Sequence, residues 1–293
     1  MKKKLWLLTE GVRLLGSGIG AYSSYRITGD GAASAVIGTV VGSKIEDTFN
    51  IISEEMKSRQ LAPIEERKVV KTATFATIRM QELFDEGKEM RQDNFFEDYQ
   101  GNRNAAEEVF EHTLIIAQKE YDEMKLMFLG YLFAGILFDD TISKDEANKL
   151  LEIGERTSYR QIKLISLFAQ NHMKGETGFD IFSFLQDKNF LENLESMNFP
   201  IKDFKENLPA NVEIPEKNYQ ECGIKGYEQI SLLQDIYDLI RMGILHMTGQ
   251  IIIDITQINP SIVAPIGLGA QLYNLMDLKR ISKEDKDELV AIL

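Results

Sequence analysis

The stretch from Leu126 to Phe138, LMFLGYLFAGILF, decides the fold class of this chain of 293 residues. Its thirteen residues carry no charge, and Leu129, Phe133 and Leu137 recur at the spacing of one helix face. A helix needs about 20 apolar residues to cross a bilayer, so this run is too short. The sequence therefore predicts a helix buried in a bundle.

Helical patterns continue on both sides of this stretch and predict a central helical bundle over residues 63–157. Its helices are predicted at about residues 64–90, 104–119, 122–138 and 144–156. Ser143 and Glu146 have the spacing of a capping box, which starts the last of these helices. With Asp139 and Asp140 they lack the central glycine and the alternating ligands of a calcium loop, so a helix cap is favoured.

Residues 158–293 follow the order helix, hairpin, helix that is typical of a winged-helix module, and its first helix is predicted at 158–170. The next helix is predicted to end at Gly243, because glycine suits the position just past a helix. The segment Ile251–Ile258, IIIDITQI, alternates as a strand does and turns through NPS into a second strand, IVA. The following helix is predicted to start at Pro265.

A less regular insertion, residues 171–226, interrupts this module. The helix that would enter a DNA groove, residues 228–243, carries Glu228, Asp235 and Asp238 against Arg241. Because carboxylates repel phosphates, we expect a structural or protein-contacting wing and no binding of nucleic acid.

Residues 1–62 are predicted to form a Gly-rich, apolar helical hairpin. Within GDGAASAVIGTVVGSK, residues 29–44, small side chains recur every four positions, which lets helices approach closely. Residues 1–45 hold six basic and two acidic residues, a balance of +4 that leaves −17 for the rest of the chain. The candidate residues for membrane or oligomer contact are Trp6, Gly16, Gly18, Gly20, Gly38 and Gly42.

Two interpretations of this region stay open. In the first, it contacts a membrane, either inserted as an oligomer or lying in the interface with its basic residues and Trp6 at the headgroups. In the second, it is a close-packed hairpin covered by the rest of the protein. A charge asymmetry of this kind suits both an anionic surface and an acidic protein body.

Composition excludes several classes of protein. The net charge of −13 opposes non-specific binding to nucleic acid. The single cysteine, Cys222, cannot form an internal disulfide, which indicates a reducing compartment. The three histidines lie far apart in sequence, so no metal site is predicted. The motif GSGIGA lacks the strand and acidic residue of a dinucleotide site, and no set of nucleophile, base and orienting group is evident. We therefore expect no cofactor and no enzymatic activity.

The first residues, MKKKLWLL, are similar to the basic start of a signal peptide. Glu10 and Arg13 interrupt the apolar run after a few residues, and a cleavage site is not evident. We therefore expect a cytoplasmic protein; attachment to the surface of the inner membrane, or insertion in it, stays open.

Three segments within about residues 105–276 together resemble the bacterial Abi-alpha (abortive-infection alpha) family. They are FEHTLIIAQKEYDEMKLMFLGYLFAGILF, ISKDEANKLLEIGERTSYRQIKLISLFA and VAPIGLGAQLYNLM. The chain departs from the family where Ala264 replaces a threonine before Pro265, so the helix cap is lost.

The resemblance implies a non-enzymatic effector of anti-phage defence that acts at the inner membrane through its Gly-rich N-terminal region. Its implied partners are further copies of itself, anionic lipid and a protein trigger of unknown identity. The alternative is a cytoplasmic helical scaffold that oligomerises through the same region. In either case the predicted fold is all-α, that is mainly helical, with a small β-hairpin.

Overall fold

The structure is a computed structural model that describes residues 47–48, 51–52, 56, 58–98, 103–172, 212–247 and 251–293. The described residues are mainly helical and include a small antiparallel sheet of two strands, which confirms the predicted fold class. The chain divides into two compact units, Met1–Ser158 and Tyr159–Leu293.

Four helices of unit 1 are described from end to end. They are α1 (Pro63–Asp85), α2 (Ala105–Lys119), α3 (Lys125–Leu137) and α4 (Lys144–Arg156). A short 3-10 helix, Asn94–Phe96, lies between α1 and α2. Proline suits the first turn of a helix because its missing N–H would have no partner there, and α1 begins at Pro63. The carboxylate of Glu65 accepts the free N–H of Ala62 at 2.8 Å.

Helix α3 is the centre of unit 1, and the prediction that its thirteen-residue run is buried is confirmed. Apolar residues lie on all its sides, which is typical of a helix surrounded by protein. It packs along α1 and also contacts α2 and α4. The ring of Phe133 stacks on Phe110 of α2, with centroids 4.7 Å apart. No helix within the described ranges combines the length and the apolar character that a membrane crossing requires.

Glycine allows α1 and α3 to approach closely at one point. A Cβ atom built on Gly130 would lie 2.6 Å from the carbonyl oxygen of Thr72 and 2.8 Å from the backbone nitrogen of Ala76. Real Cβ atoms do not approach backbone atoms so closely, so only glycine fits between these helices.

Unit 2 contains five helices and two strands in its described part. The helices are α5 (Tyr159–His172), α6 (Tyr219–Cys222), α7 (Gly226–Arg241), α8 (Leu268–Leu275) and α9 (Lys283–Ile292). The strands are β1 (Leu245–Met247) and β2 (Val263–Pro265), paired antiparallel with His246 opposite Ala264. Helix α5 packs against β2, α8 and α9. Gly243 has a φ of +70°, and the predicted helix stop at this residue is confirmed.

The predicted positions of the two strands are partly wrong. Ile251–Ile258 forms no strand; Asp254 and Gln257 instead cap a 3-10 helix at Ile255–Gln257. The Asp254 carboxylate accepts the N–H of Thr256 at 2.7 Å. Short polar side chains that bond to nearby backbone compete with sheet pairing in this way.

The predicted helix start at Pro265 is also wrong. Pro265 ends β2, and α8 begins at Leu268 after Gly267, whose φ is +45°. Ile266 is tied instead to the strand region, since its N–H donates to the carbonyl of Ile244 at 3.2 Å. The helix therefore begins three residues later than predicted.

Candidate functional site

The six residues predicted to contact a membrane or another copy lie outside the described residues. They are Trp6, Gly16, Gly18, Gly20, Gly38 and Gly42. Their role stays a prediction. Ile52 and Met56, near the end of the predicted hairpin, are described and are buried.

A cleft of about 570 Å³ opens in unit 1 between the segment after α1 and the loop that joins α3 to α4. Arg91, Asp93 and Phe95 line one side, and Asp140, Thr141 and Lys144 line the other. The lining contains charged side chains of both signs as well as apolar surface. It is the principal candidate for a binding site among the described residues of unit 1.

Arg91 forms the floor of this cleft, with 2% of its side chain exposed. Its Nε and Nη2 donate to the two carboxylate oxygens of Asp93 at 2.7 and 2.6 Å. Its Nη1 donates to the carbonyl of Ile136 at 3.3 Å, and its guanidinium carbon lies 3.8 Å from the centre of the Phe95 ring. The hydrogen bond from Arg91 lowers the pKa of Asp93, although burial opposes this shift.

Arg91 stabilises the end of α3. Its side chain and its backbone N–H satisfy the carbonyls of Ile136 and Leu137, the last two residues of α3. A positive charge at the C-terminal end of a helix is favourable because carbonyl dipoles point there. With Asp93 and Phe95 also engaged, the guanidinium holds the loop against α3 and is committed to that contact.

The other cations of the cleft are paired with acidic residues of α2. Arg103 forms an ion pair with Glu111, and Lys144 forms one with Glu108. A ligand that approached either cation would compete with a carboxylate already in place. The cleft is therefore better suited to a weakly bound polar ligand than to a tightly bound anion, because an anion would have to displace Glu111 or Glu108.

The start of α4 borders the cleft and confirms the predicted capping box. Glu146 accepts hydrogen bonds from the N–H and the hydroxyl of Ser143 at 2.9 and 2.8 Å, while its own N–H donates to that hydroxyl at 3.2 Å. These bonds from Ser143 lower the pKa of Glu146. The carboxylate of Asp139 also bonds to the nearby backbone, since it accepts a hydrogen bond from the N–H of Thr141 at 3.0 Å. Within the described ranges, no group of three histidine, cysteine or acidic residues is placed to hold a metal ion.

Unit 2 contains a polar cluster between α5 and α7. The Nε of Arg160 donates to Asp235 at 2.5 Å, and its Nη2 donates to the hydroxyl of Ser231 at 2.6 Å. Gln161 donates to the other oxygen of Asp235 at 3.3 Å. Asp235 was counted among the acidic residues of the predicted groove helix, and here it helps to join two helices.

Lys286 of α9 is completely buried, with 0% exposure. Burial lowers the pKa of its ammonium group to about 8. Sequence reasoning missed this residue, yet a signal was present. Lys286 lies three and seven positions before Leu289 and Leu293, which are also buried, so it occupies the apolar face of its helix.

Two isoleucines in the loop between β1 and β2 lie in solvent. Ile251 is 90% exposed and Ile253 is 78% exposed. The described part of this loop is nevertheless hydrogen-bonded, since the N–H of Ile253 donates to Gln257 at 2.8 Å and its carbonyl accepts from the Tyr237 hydroxyl at 3.1 Å.

Comparisons with protein-family models, with curated proteins and with solved structures found no match to this chain.

Proposed function

We propose that this chain is a non-enzymatic effector of bacterial anti-phage defence, of the abortive-infection type. Its Gly-rich N-terminal region acts at or on the inner membrane. Its partners are further copies of itself and anionic lipid, and a protein trigger sets it in action. The C-terminal unit is a winged-helix-like module that contacts protein and leaves DNA unbound.

The observation that carries this proposal is the burial of α3. This helix is the most apolar of the described helices, and it is used as the core of unit 1. A segment that meets the membrane must therefore come from elsewhere in the chain. The N-terminal region has a suitable composition, because it combines a charge of +4, a tryptophan and a thirteen-residue uncharged stretch.

The charge of α7 supports the absence of DNA binding. Glu228, Asp235 and Asp238 outnumber Arg241 on this helix. The guanidinium of Arg241 lies 5.9 Å from the centre of the Tyr237 ring, so it is also engaged within the helix. A helix of this charge repels the phosphates that supply most of the affinity for DNA.

The test replaces Gly38 and Gly42 together by Leu and compares the variant with Thr39→Leu/Ser43→Leu. The control adds leucines at the same spacing on a neighbouring face of the predicted helix. Expression in cells, leakage of vesicles that contain phosphatidylglycerol, and urea unfolding are measured for both variants. We expect the glycine variant alone to lose growth arrest and leakage, because bulky side chains keep helices apart.

Two results would contradict the proposal. A fall in the free energy of unfolding of the glycine variant by about 1–3 kcal/mol per overpacked site, measured as a lower urea midpoint, would indicate a hairpin packed as core. Loss of self-association without any effect of the wild type on vesicles would favour the cytoplasmic scaffold. Fractionation of cells into membrane and soluble pools separates these outcomes further.

A further inference from the structure

Two arginines that are distant in sequence converge on one carboxylate in unit 1. Glu111 of α2 forms ion pairs with Arg59 through one oxygen and with Arg103 through the other. Arg59 lies 52 positions before Glu111, and Arg103 lies 8 positions before it. One side chain therefore joins three parts of unit 1.

Arg59 belongs to what we call the entry segment, the described residues between 47 and 60. Residues 47–48, 51–52, 56 and 58 are helical. Thr48, Ile52 and Met56, which are four positions apart, are buried. The segment thus has one buried side, and in the sequence it follows directly on the Gly-rich residues 1–45.

The backbone changes direction immediately after Arg59. Gln60 has a φ of +50°, the left-handed conformation that residues other than glycine adopt at a cost. Such a conformation persists where neighbouring contacts impose it. The ion pair between Arg59 and Glu111 adjoins this turn.

We propose that Glu111 is a latch: it holds the entry segment against α2, and opening this contact lets the N-terminal region act. The inference rests on the proposed function for its consequence in cells. Its structural part, the attachment of Arg59 to Glu111, can be tested without reference to a membrane.

The exposure of the partners makes this contact releasable. The side chains of Arg59 and Arg103 are 38% and 32% exposed, so both keep contact with water when they leave Glu111. A buried ion pair behaves differently, because separation leaves a charge without solvent. Arg91, at 2% exposure, would be such a charge if Asp93 left it. Glu111 is 17% exposed and keeps Arg103 as a partner when Arg59 leaves, so the contact with Arg59 opens at a modest cost.

The experiment compares Glu111→Gln with Glu123→Gln in the full chain. Glu123 pairs with Arg67 and Lys71 of α1, so the control removes the same charge from another ion-pair cluster. Two quantities are measured: the hydrogen exchange of amides 58–61 and the rate of trypsin cleavage after Arg59. We expect both to rise about three- to tenfold in Glu111→Gln and to stay at the wild-type value in Glu123→Gln.

Exchange in α3 distinguishes a local opening from general destabilisation. If amides of α3 exchange faster by the same factor as amides 58–61, Glu111 is an ordinary stabilising residue and the latch is wrong. Equal behaviour of the two variants at residues 58–61 would also overturn it. In hydrogen exchange of amides 58–61, an Arg59→Gln/Glu111→Gln pair should show little further increase over Glu111→Gln, because Glu111→Gln already removes the contact with Arg59; a further increase of the same size as in Arg59→Gln alone contradicts the proposal.

Growth arrest in cells is then compared at low expression. Stronger arrest by Glu111→Gln than by Glu123→Gln supports the latch together with the proposed function. Faster local exchange with unchanged growth would leave the contact established, and it would contradict the action of the N-terminal region. The two ideas therefore fail in different measurements.

Discussion

Replacement of Gly130 by Ala is the sharpest test of the packing in unit 1. The new Cβ would lie 2.6 Å from the Thr72 carbonyl oxygen, 2.8 Å from the Ala76 nitrogen and 3.0 Å from the Phe75 Cβ. Ordinary contact begins near 3.4 Å, so α1 would have to move away by about 0.8 Å. The two nearest atoms belong to the backbone, so no change of rotamer relieves the clash.

We expect Gly130→Ala to destabilise the protein, although helix propensity alone would make the change stabilising. In a helix without tertiary contacts, the change from Gly to Ala stabilises by about 1 kcal/mol. Overpacking of a core costs about 1–3 kcal/mol, and here it also separates α1 from α3 over their length. We expect the free energy of unfolding to fall by about 2 kcal/mol.

Urea unfolding followed by circular dichroism measures this loss. A companion variant, Phe75→Gly/Gly130→Ala, removes the Phe75 Cβ and should recover none of the stability relative to Phe75→Gly, because the clash involves the backbone of α1 at Thr72 and Ala76. An unchanged or higher midpoint for Gly130→Ala would refute the close approach of the two helices. Recovery by the companion variant would show that side-chain crowding alone is responsible.

Four further expectations concern other sites. Gly269→Ala should destabilise the protein more than Gly243→Ala, because the new Cβ at position 269 would lie 2.0 Å from the Ile244 carbonyl oxygen. At Gly243 the space is open, and the cost comes only from placing alanine at a φ of +70°. Comparable losses of stability in urea unfolding would show that the contact with Ile244 is unimportant. Lys286→Met should remove part of the pH dependence of the free energy of unfolding. The pKa near 8 lies below the ordinary 10.5, so the unfolded chain binds more protons between these values. The stability of the wild type relative to this variant should then rise by roughly 2 kcal/mol from about pH 7 to about pH 9.5, and a constant difference would contradict the role of burial. Arg91→Lys should cost about 1–3 kcal/mol, since an ammonium cannot reproduce the two-pronged contact with a carboxylate; a neutral result would show that the loop is held otherwise. Duplex DNA should not be bound at about 150 mM salt, and a complex of micromolar affinity or tighter in a fluorescence anisotropy titration would overturn this expectation.

Local chemistry in the sequence predicted part of unit 1 well. The capping box of Ser143 and Glu146 depends on residues three positions apart, so their spacing contains the whole interaction. The burial of α3 followed from its length and from the absence of charge. Both features are decided by neighbours in the chain.

The remainder depends on contacts that spacing does not encode. The strands are three residues long, too short to show an alternating pattern, whereas IIIDITQI alternates and yet folds around its own Asp254. Arg91 reaches the carbonyl of Ile136, 45 positions away, and Arg59 reaches Glu111, 52 positions away. Such long-range contacts depend on the tertiary fold, and they cannot be predicted from the spacing of residues in a single sequence.

The shortness of the sheet bears on how copies of this chain can associate. Unpaired N–H and C=O groups at a sheet edge are the usual template for the growth of fibrils. Here β1 and β2 are only three residues long, and Pro265 has no N–H to donate to an incoming strand. Helix α5 also packs against β2. Fibril growth through this sheet is therefore unfavourable, and we expect any assembly of copies to use helical surfaces.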